Sequence, residues 1–280
     1  MPERTGTDAS RSVDAVVLAG GPPAPELTGG ALPKAFAPVG SATMVEHVLA
    51  ALRAVPDIRR IVLVAPAPLP PHIAAAASLS VPARAGVLDN LAAGLAVLEE
   101  APEHGGLRSA AAPVLVAAAD VPLLTSPAVA AFLDAGRAAA ADAVYAIVPR
   151  DEVVRVAPGI RKTFVRLADG VFAGGGLVLL RPGAFERARP LIERAVRARK
   201  RPWELARLFG LGTLVGLATG RLRIAALERR AEALGVRARA VVCQDAGVAL
   251  DVDTPEMLAF VRARAARRDD ARVPAGRGGV

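Results

Sequence analysis

The chain lacks most of what would mark an exported or metal-stapled protein. One of its 280 residues is cysteine, Cys243, so no internal disulfide can form and no Cys-ligated zinc site can be assembled. Secreted disulfide scaffolds and zinc ribbons are excluded, and a reducing cytoplasm is the expected setting. Aromatic residues make up 3% of the chain, with one Trp and one Tyr, which leaves few stacking platforms of the kind that accompany basic surfaces in single-strand nucleic-acid binders. The three histidines, His47, His72 and His104, have neither metal-ligand spacing nor a Ser or Cys partner in a nucleophile motif. Long hydrophobic runs are missing as well. The richest stretch, Ser109 to Leu124, is interrupted by Pro113, Asp120 and Pro122, short of the roughly 18 apolar residues of a spanning helix. No transmembrane segment is expected, and the polar start MPERTGTDASRS does not read as an export signal.

What is present suffices for a large core: 53% of residues are hydrophobic, and the length fits one large domain or two small ones. The net charge of +8 is local. Arg187–Arg207 carries +6 and Arg262 to the end carries +4, leaving the remainder at −2. Neither basic segment is interleaved with aromatics, so no nucleic-acid partner is expected. The arginines from Arg194 to Arg207 read as the wet side of a helix, with an anionic acceptor, an acidic partner or a membrane surface as alternatives, and Trp203 as a packing anchor.

Periodicity places apolar runs at Val13–Leu18, Arg60–Ala65, Pro113–Ala118 and Ala143–Val148, each a buried strand, alternating with helices over Met44–Ala54, Asp89–Glu100 and Ser126–Ala140. The first half is therefore βαβα with a parallel sheet. In the second half, Lys162–Leu167 alternates like an exposed strand, Gly174-Gly175-Gly176 reads as punctuation, and Leu177–Leu180 is a strand that can pair with it. A helical stretch over Gly183–Leu234 is broken near Gly210–Gly220. Strands are expected at Arg239–Cys243 and Val248–Val252, then a helix over Thr254–Ala266 capped by Thr254. The expected organisation is a tail over residues 1–11, one domain over 12–266 with a helical insertion at about 185–235, and a basic disordered tail over 267–280. Cys243 is read as an inert core thiol.

Three segments carry chemistry. The first strand ends in Leu18-Ala19-Gly20-Gly21, followed by a Pro/Gly-rich loop to Leu32-Pro33-Lys34. Glycines beyond a strand's carboxyl end let backbone N–H groups approach phosphate oxygens, although a plain glycine turn is the alternative. Neither a Walker A nor a GxGxxG pattern is present. The run Val114–Ala119 delivers Asp120 where the strand leaves the sheet, before Val121-Pro122. A carboxylate there suits Mg²⁺, which takes one or two protein carboxylates and the substrate's phosphates; a turn-former before Pro122 is the alternative. Leu250-Asp251-Val252-Asp253-Thr254-Pro255-Glu256 offers further carboxylates before a helix, or simply a capping box.

Taken in order, these segments resemble the GT-A-fold nucleotidyltransferases, in particular the molybdenum-cofactor guanylyltransferase-like (MobA-like) NTP transferase family. The matching residues are Leu18-Ala19-Gly20-Gly21, Pro33-Lys34, Ala119-Asp120-Val121-Pro122, Gly174-Gly175 and Asp251-Val252-Asp253-Thr254-Pro255-Glu256, spread over about residues 13–265. The resemblance implies an α/β, Rossmann-like GT-A fold with a mostly parallel central sheet, flanking helices and a helical insertion. It also implies Mg²⁺-dependent transfer of an NMP from an NTP to a phosphorylated sugar or cofactor-like acceptor, with pyrophosphate released. Lys34, Asp120 and Asp253 become the catalytic residues. Asp120 and Asp253 would hold the metal, with Asp251 as the fallback for the second. Leu18, Ala19, Gly20, Gly21, Lys34, Asn90, Gly94 and Asp120 would bind the nucleotide, and Lys162, Gly174 and Gly175 the acceptor. Asp89-Asn90-Leu91-Ala92-Ala93-Gly94 would lie against the base; its plain reading is a helix start capped by Asp89. Departures exist: the loop after Gly21 reads Pro22-Pro23-Ala24-Pro25-Glu26-Leu27-Thr28-Gly29-Gly30 in place of the family's Ser-x-Arg-Met-Gly, Ala119 stands where Gly is common, and Gly176 where Asn is often found. A catalytically weakened nucleotide- or metabolite-binding protein of the same fold is the alternative they suggest.

Overall fold

A computed structural model describes residues 11–100, 112–198 and 210–272. Strand β1 (Val13–Leu18) lies between β4 (Ile58–Ala65) and β6 (Val114–Ala118), parallel to both. Its alternate side chains are buried on both faces, as a continuous apolar run requires. β5 (Leu79–Pro82) extends the sheet beyond β4. On the other side β6 meets β9 (Gly170–Leu180) antiparallel, β9 meets β7 (Ala143–Pro149) antiparallel, and β10 (Ala238–Val242) closes the edge parallel to β7. The order is β10-β7-β9-β6-β1-β4-β5, with β8 (Val165–Leu167) paired to β9 off this path and the short β2 (Pro38–Val39) and β3 (Ala42–Thr43) forming a separate hairpin. This is a mixed α/β fold with a central, mostly parallel sheet and flanking helices.

One face of the sheet packs against α2 (Met44–Arg53), α5 (Ser126–Ala138) and α10 (Pro255–Arg272). Ala15, Val17, Leu63 and Leu115 meet Leu49, Phe132 and Val261 there. The opposite face carries α4 (Val87–Glu100) and α7 (Pro182–Ala198), where Val16, Val64 and Val116 pack on Leu91, Leu95 and Phe185. Each such side chain taken from water contributes about 1.5–3 kcal/mol. Local signals set the helix starts. Glu46 accepts the Thr43 backbone N–H at 2.7 Å to begin α2, and Thr125 accepts the Ala128 N–H to begin α5, caps worth about 1 kcal/mol each. α1 (Pro25–Thr28), α3 (Pro71–Ala74), α6 (Arg150–Val156), α8 (Leu211–Ala218) and α9 (Ile224–Ala233) complete the helices named among the described residues.

Several expectations are corrected. Val248–Val252 is not a strand: Ala246–Val248 is a 3-10 turn and the residues after it run without strand pairing. The segment is apolar because it is buried beneath the loops, and burial alone cannot distinguish a core loop from a strand. Gly174–Gly176 lies inside β9 rather than between two elements, since glycine punctuates only where the chain turns. The break expected near Gly210–Gly220 is found at Gly210 and again at Gly220, both at positive φ, with the short α8 between them. The exposed strand expected over Lys162–Leu167 narrows to β8. α4 begins at Val87, so Asp89 stands in its first turn and does not cap it, and α10 continues past residue 266 to Arg272. Residues 1–10 and 273–280, His104, Arg199, Trp203 and Arg207 lie outside the described residues. Among the described residues no helix is long and apolar enough to cross a membrane.

Candidate functional site

The site is built where β1 and β6 leave the sheet. Leu18, the last residue of β1, accepts the Ala119 N–H at 3.2 Å, and Ala19 donates to Val64 at 2.8 Å, so the two strand ends stay in register as they exit. Gly20 and Gly21 follow. Gly21 has φ +148°, a backbone setting that disfavours any residue with a Cβ. The loop after it closes on itself through Ala24 N–H to Leu32 O at 2.9 Å and the bridge between Pro23 and Pro33, with Leu27 of α1 buried beneath it. Residues 20–33 contain no Arg or Lys, and Glu26 is their one charged residue.

Lys34 begins a 3-10 turn whose next two residues, Ala35 and Phe36, are buried. Its backbone is thereby fixed while its side chain reaches out. The ammonium lies 2.6 Å from Asp120 Oδ2 and also contacts Asp253 Oδ1. Burial pushes the Lys34 pKa down, but the Asp120 and Asp253 carboxylates outweigh it and raise it.

The loops bearing the two carboxylates are joined. Val252 N–H donates to Asp120 O at 2.9 Å, and Thr125 Oγ1 donates to Asp245 Oδ2 at 2.9 Å. Asp245 also accepts the Gly247 N–H at 2.7 Å, a local turn that brings the backbone at Gly247 against the Leu123 carbonyl. Sequence reasoning missed this latch; the Asp-x-Gly spacing of an Asx turn was its signal. Asp251, read as the fallback metal ligand, contacts the ammonium of Lys162. Lys162 therefore stands beside the acidic loop, within the electrostatic reach of Asp253, Asp120 and Lys34.

Asp120 Oδ1 is buried and has no hydrogen-bond partner. An unpaired buried carboxylate oxygen costs free energy unless something else satisfies it, and here it sits beside the more open Asp253. Two carboxylates with no third His, Cys, Asp or Glu gathered around them among the described residues are the donor set that suits a hard cation completed by substrate phosphates and water. The chain's own residues thus fit Mg²⁺.

Asn90 is buried and approaches Gly20: a Cβ added to Gly20 would stand 2.7 Å from Asn90 Nδ2 and 2.8 Å from Ala83 Cβ. Asn90 Oδ1 accepts the Arg84 N–H at 2.5 Å, which fixes the amide's orientation next to the glycine loop. Gly94 is elsewhere. A Cβ there would meet Val16 Cγ1 at 2.6 Å and Val64 Cγ2 at 3.1 Å, so its place is the packing of α4 on the sheet. Asp89 pairs with Arg189 at 2.5 Å, tying α4 to α7.

In β9 a Cβ on Gly175 would come 2.9 Å from Val248 Cγ1 and 3.0 Å from Ala146 O, and one on Gly176 3.0 Å from Val121 Cγ1. The glycines let β9 pass under both carboxylate-bearing loops, and the register against β7 shifts between Tyr145 and Ile147 at this point. Gly174 faces Tyr145 and lines a cavity of about 410 Å³ with Ile147, Phe172 and Leu227 of α9.

A family model for the MobA-like NTP transferase domain matches residues 15–201. No match was found among curated proteins. Among solved structures, a hypothetical transferase from Thermus thermophilus is 40% identical, with a TM-score of 0.75, covering 88% of this chain and 99% of that one. A CMP:2-keto-3-deoxy-manno-octonic acid synthetase solved with CTP superposes with a TM-score of 0.55 at 13% identity over 92% of this chain and 99% of the other. A 4-diphosphocytidyl-2C-methyl-D-erythritol synthase from Anaerococcus prevotii gives 0.53 at 11% identity over 92% and 100%. The last two likenesses are of fold.

Proposed function

Since the chain belongs to the MobA-like NTP transferase family and is a nucleotidyltransferase, we propose that it moves an NMP from an NTP to a phosphorylated sugar or cofactor-like acceptor. The observation that carries the reading is Lys34 beside Asp120, just past the end of β6, and Asp253, on the loop hydrogen-bonded to it, with Asp120 Oδ1 left without a hydrogen bond. In an open α/β sheet this is where ligands bind.

The acceptor oxygen attacks the α-phosphorus of the NTP, the bond from that phosphorus to the oxygen bridging to the β-phosphate breaks, and pyrophosphate leaves. An acceptor phosphate that is already ionised needs no general base. Asp120 and Asp253 would hold Mg²⁺, which supplies charge neutralisation at the phosphates when bound. Lys34 would bind the β- and γ-phosphate oxygens and stabilise charge on the leaving group, and backbone N–H groups of Gly20 and Gly21 would cradle them. Asn90, held by Arg84, would present its amide to the base. Lys162, with Gly174 and Gly175 of β9, would border the acceptor. With little covalent work for the protein, positioning and electrostatics carry the rate.

A thermal-shift series against ATP, CTP, GTP and UTP, with and without Mg²⁺, tests the reading, because a ligand of the folded state alone raises its stability. A Mg²⁺-dependent shift with one nucleotide, lost in Asp120→Ala, is expected and names the donor. Binding without pyrophosphate release for any phosphorylated acceptor would favour the weakened-enzyme alternative, which the absence of Arg and Lys from residues 20–33 motivates. No shift with any nucleotide would overturn the assignment.

A further inference from the structure

The side chain of Lys34 lies against both carboxylates proposed above to hold the metal. Its ammonium touches Asp120 Oδ2 and Asp253 Oδ1 together, one oxygen from each carboxylate read above as a metal ligand. The backbone of residue 34 is pinned by the buried Ala35 and Phe36, whereas a lysine side chain has four flexible carbons and a compact charge free to change partners. Asp251, two residues before Asp253, is already matched by Lys162. The Asp120–Asp253 pair thus carries a tethered counter-cation of its own.

Resting on the reading of Asp120 and Asp253 as the metal seat, we infer that Lys34 guards that seat. In the nucleotide-free protein its ammonium holds the two carboxylates and excludes free divalent cations; a triphosphate offers it new partners, and its departure opens the carboxylates to the metal that arrives with the nucleotide. The physical reason is competition. A divalent ion cannot share two carboxylate oxygens with an ammonium in contact with both without like-charge repulsion. Displacing Lys34 into solvent would strip a partly buried carboxylate of its partner, whereas moving it onto phosphate oxygens exchanges one anion for another. Metal binding and nucleotide binding become coupled through one side chain. Coupling of this kind is reciprocal, so a triphosphate should tighten the metal by the same factor as the metal tightens the triphosphate.

The test uses Mn²⁺ alone as the probe, titrated into the full-length protein and followed by the EPR signal of the free ion. Lys34→Met should bind Mn²⁺ at least about tenfold more tightly than the wild type, because a repelling charge is gone. The double variant Lys34→Met/Asp120→Asn should lose that gain. An unchanged or weaker affinity in Lys34→Met, including no detectable binding in either protein, overturns the guard. A measurement on the native sequence keeps the inference exposed if Lys34→Met does not fold. With lysines ¹³C-dimethylated, which preserves their charge, the Lys34 resonance should stay in place in millimolar Mg²⁺ and shift when inorganic tripolyphosphate is added with Mg²⁺. A shift with Mg²⁺ alone, or none with both, overturns it. The two readings fail separately: full metal-dependent turnover in Asp120→Asn would remove the metal seat itself, while turnover lost in Asp120→Asn with no gain in Mn²⁺ affinity in Lys34→Met would remove only the guard.

Discussion

Gly20 and Asn90 meet across the gap between the β1 exit and α4, so closely that one added methyl group at Gly20 would stand 2.7 Å from Asn90 Nδ2. The glycine is needed for space, because a side chain there would meet Asn90 and Ala83. Gly20→Ala should therefore displace Asn90 or Ala83, at a stability cost of about 1–3 kcal/mol, and weaken nucleotide binding. Melting curves with and without NTP separate the two effects; unchanged nucleotide-induced stabilisation would assign Gly20 to packing alone.

Gly94 offers the opposite case. Its missing Cβ makes room for Val16 and Val64, so Gly94→Val should lower stability by about 1–3 kcal/mol through overpacking and leave nucleotide affinity unchanged in the folded fraction. A selective loss of affinity at unchanged stability would place Gly94 back in the binding site.

Asp253→Ala and Asp120→Ala should each lower metal-dependent turnover by about 10²–10³-fold, the usual scale for removing one electrostatic stabiliser, without loss of the fold. Asp120 is the more enclosed and Asp253 the more open, with 17% and 62% of their side chains exposed, so excess Mg²⁺ should rescue Asp253→Ala more readily. Pyrophosphate release against Mg²⁺ concentration is the measurement.

At the far end of β1, Asp14 is 2% exposed and binds Arg60 at 2.7 Å and Arg59 at 3.1 Å. Burial pushes its carboxyl pKa up, but the two guanidinium groups overcome this and lower it. A depressed folded pKa stabilises the protein above the unfolded value near 3.9, and that stability is lost as pH falls through the folded value. Asp14→Ala should cost about 3–5 kcal/mol at neutral pH, since it removes the carboxylate partner of the buried Arg60. The gap between wild type and variant should hold down to about pH 5 and narrow below pH 4, as urea melts across that range would show.

Cys243 is half-buried beside β10, and burial foremost, with the Asp245 charge, pushes its thiol up to about 11. At neutral pH it should react with a disulfide reagent far more slowly in the folded protein than after denaturation. Equal rates would contradict a shielded thiol.

Much of the fold was legible. Val13–Leu18, apart from the buried Asp14, and Val114–Ala118 are apolar where they face the helix layers, Thr43 and Glu46 announce α2, and Thr254 with Pro255 announces α10. What escaped did so for identifiable reasons. Residues 246–250 are apolar because they are buried in the core, which periodicity reads as a strand. Gly174–Gly176 looked like a turn because three adjacent glycines seldom stay in a strand; here each missing side chain makes room for Tyr145, Val248 or Val121.

The sequence by itself determined the apolar strands β1 and β6 and the starts of α2, α5 and α10, because hydrophobic period and capping are local properties carried within a few neighbours. Asp120 at the end of an apolar strand was visible in that way, whereas Lys34 and Asp253 took their expected roles from the resemblance to the MobA-like family. Only the tertiary structure decided who meets whom: that Lys34 spans both carboxylates, that Lys162 takes Asp251 instead of facing open solvent, and that Asp14 takes Arg60 from the neighbouring strand. Such pairings join residues up to 219 positions apart. They depend on the order in which strands assemble and on β9 entering antiparallel between β6 and β7, a long-range choice that no local pattern encodes.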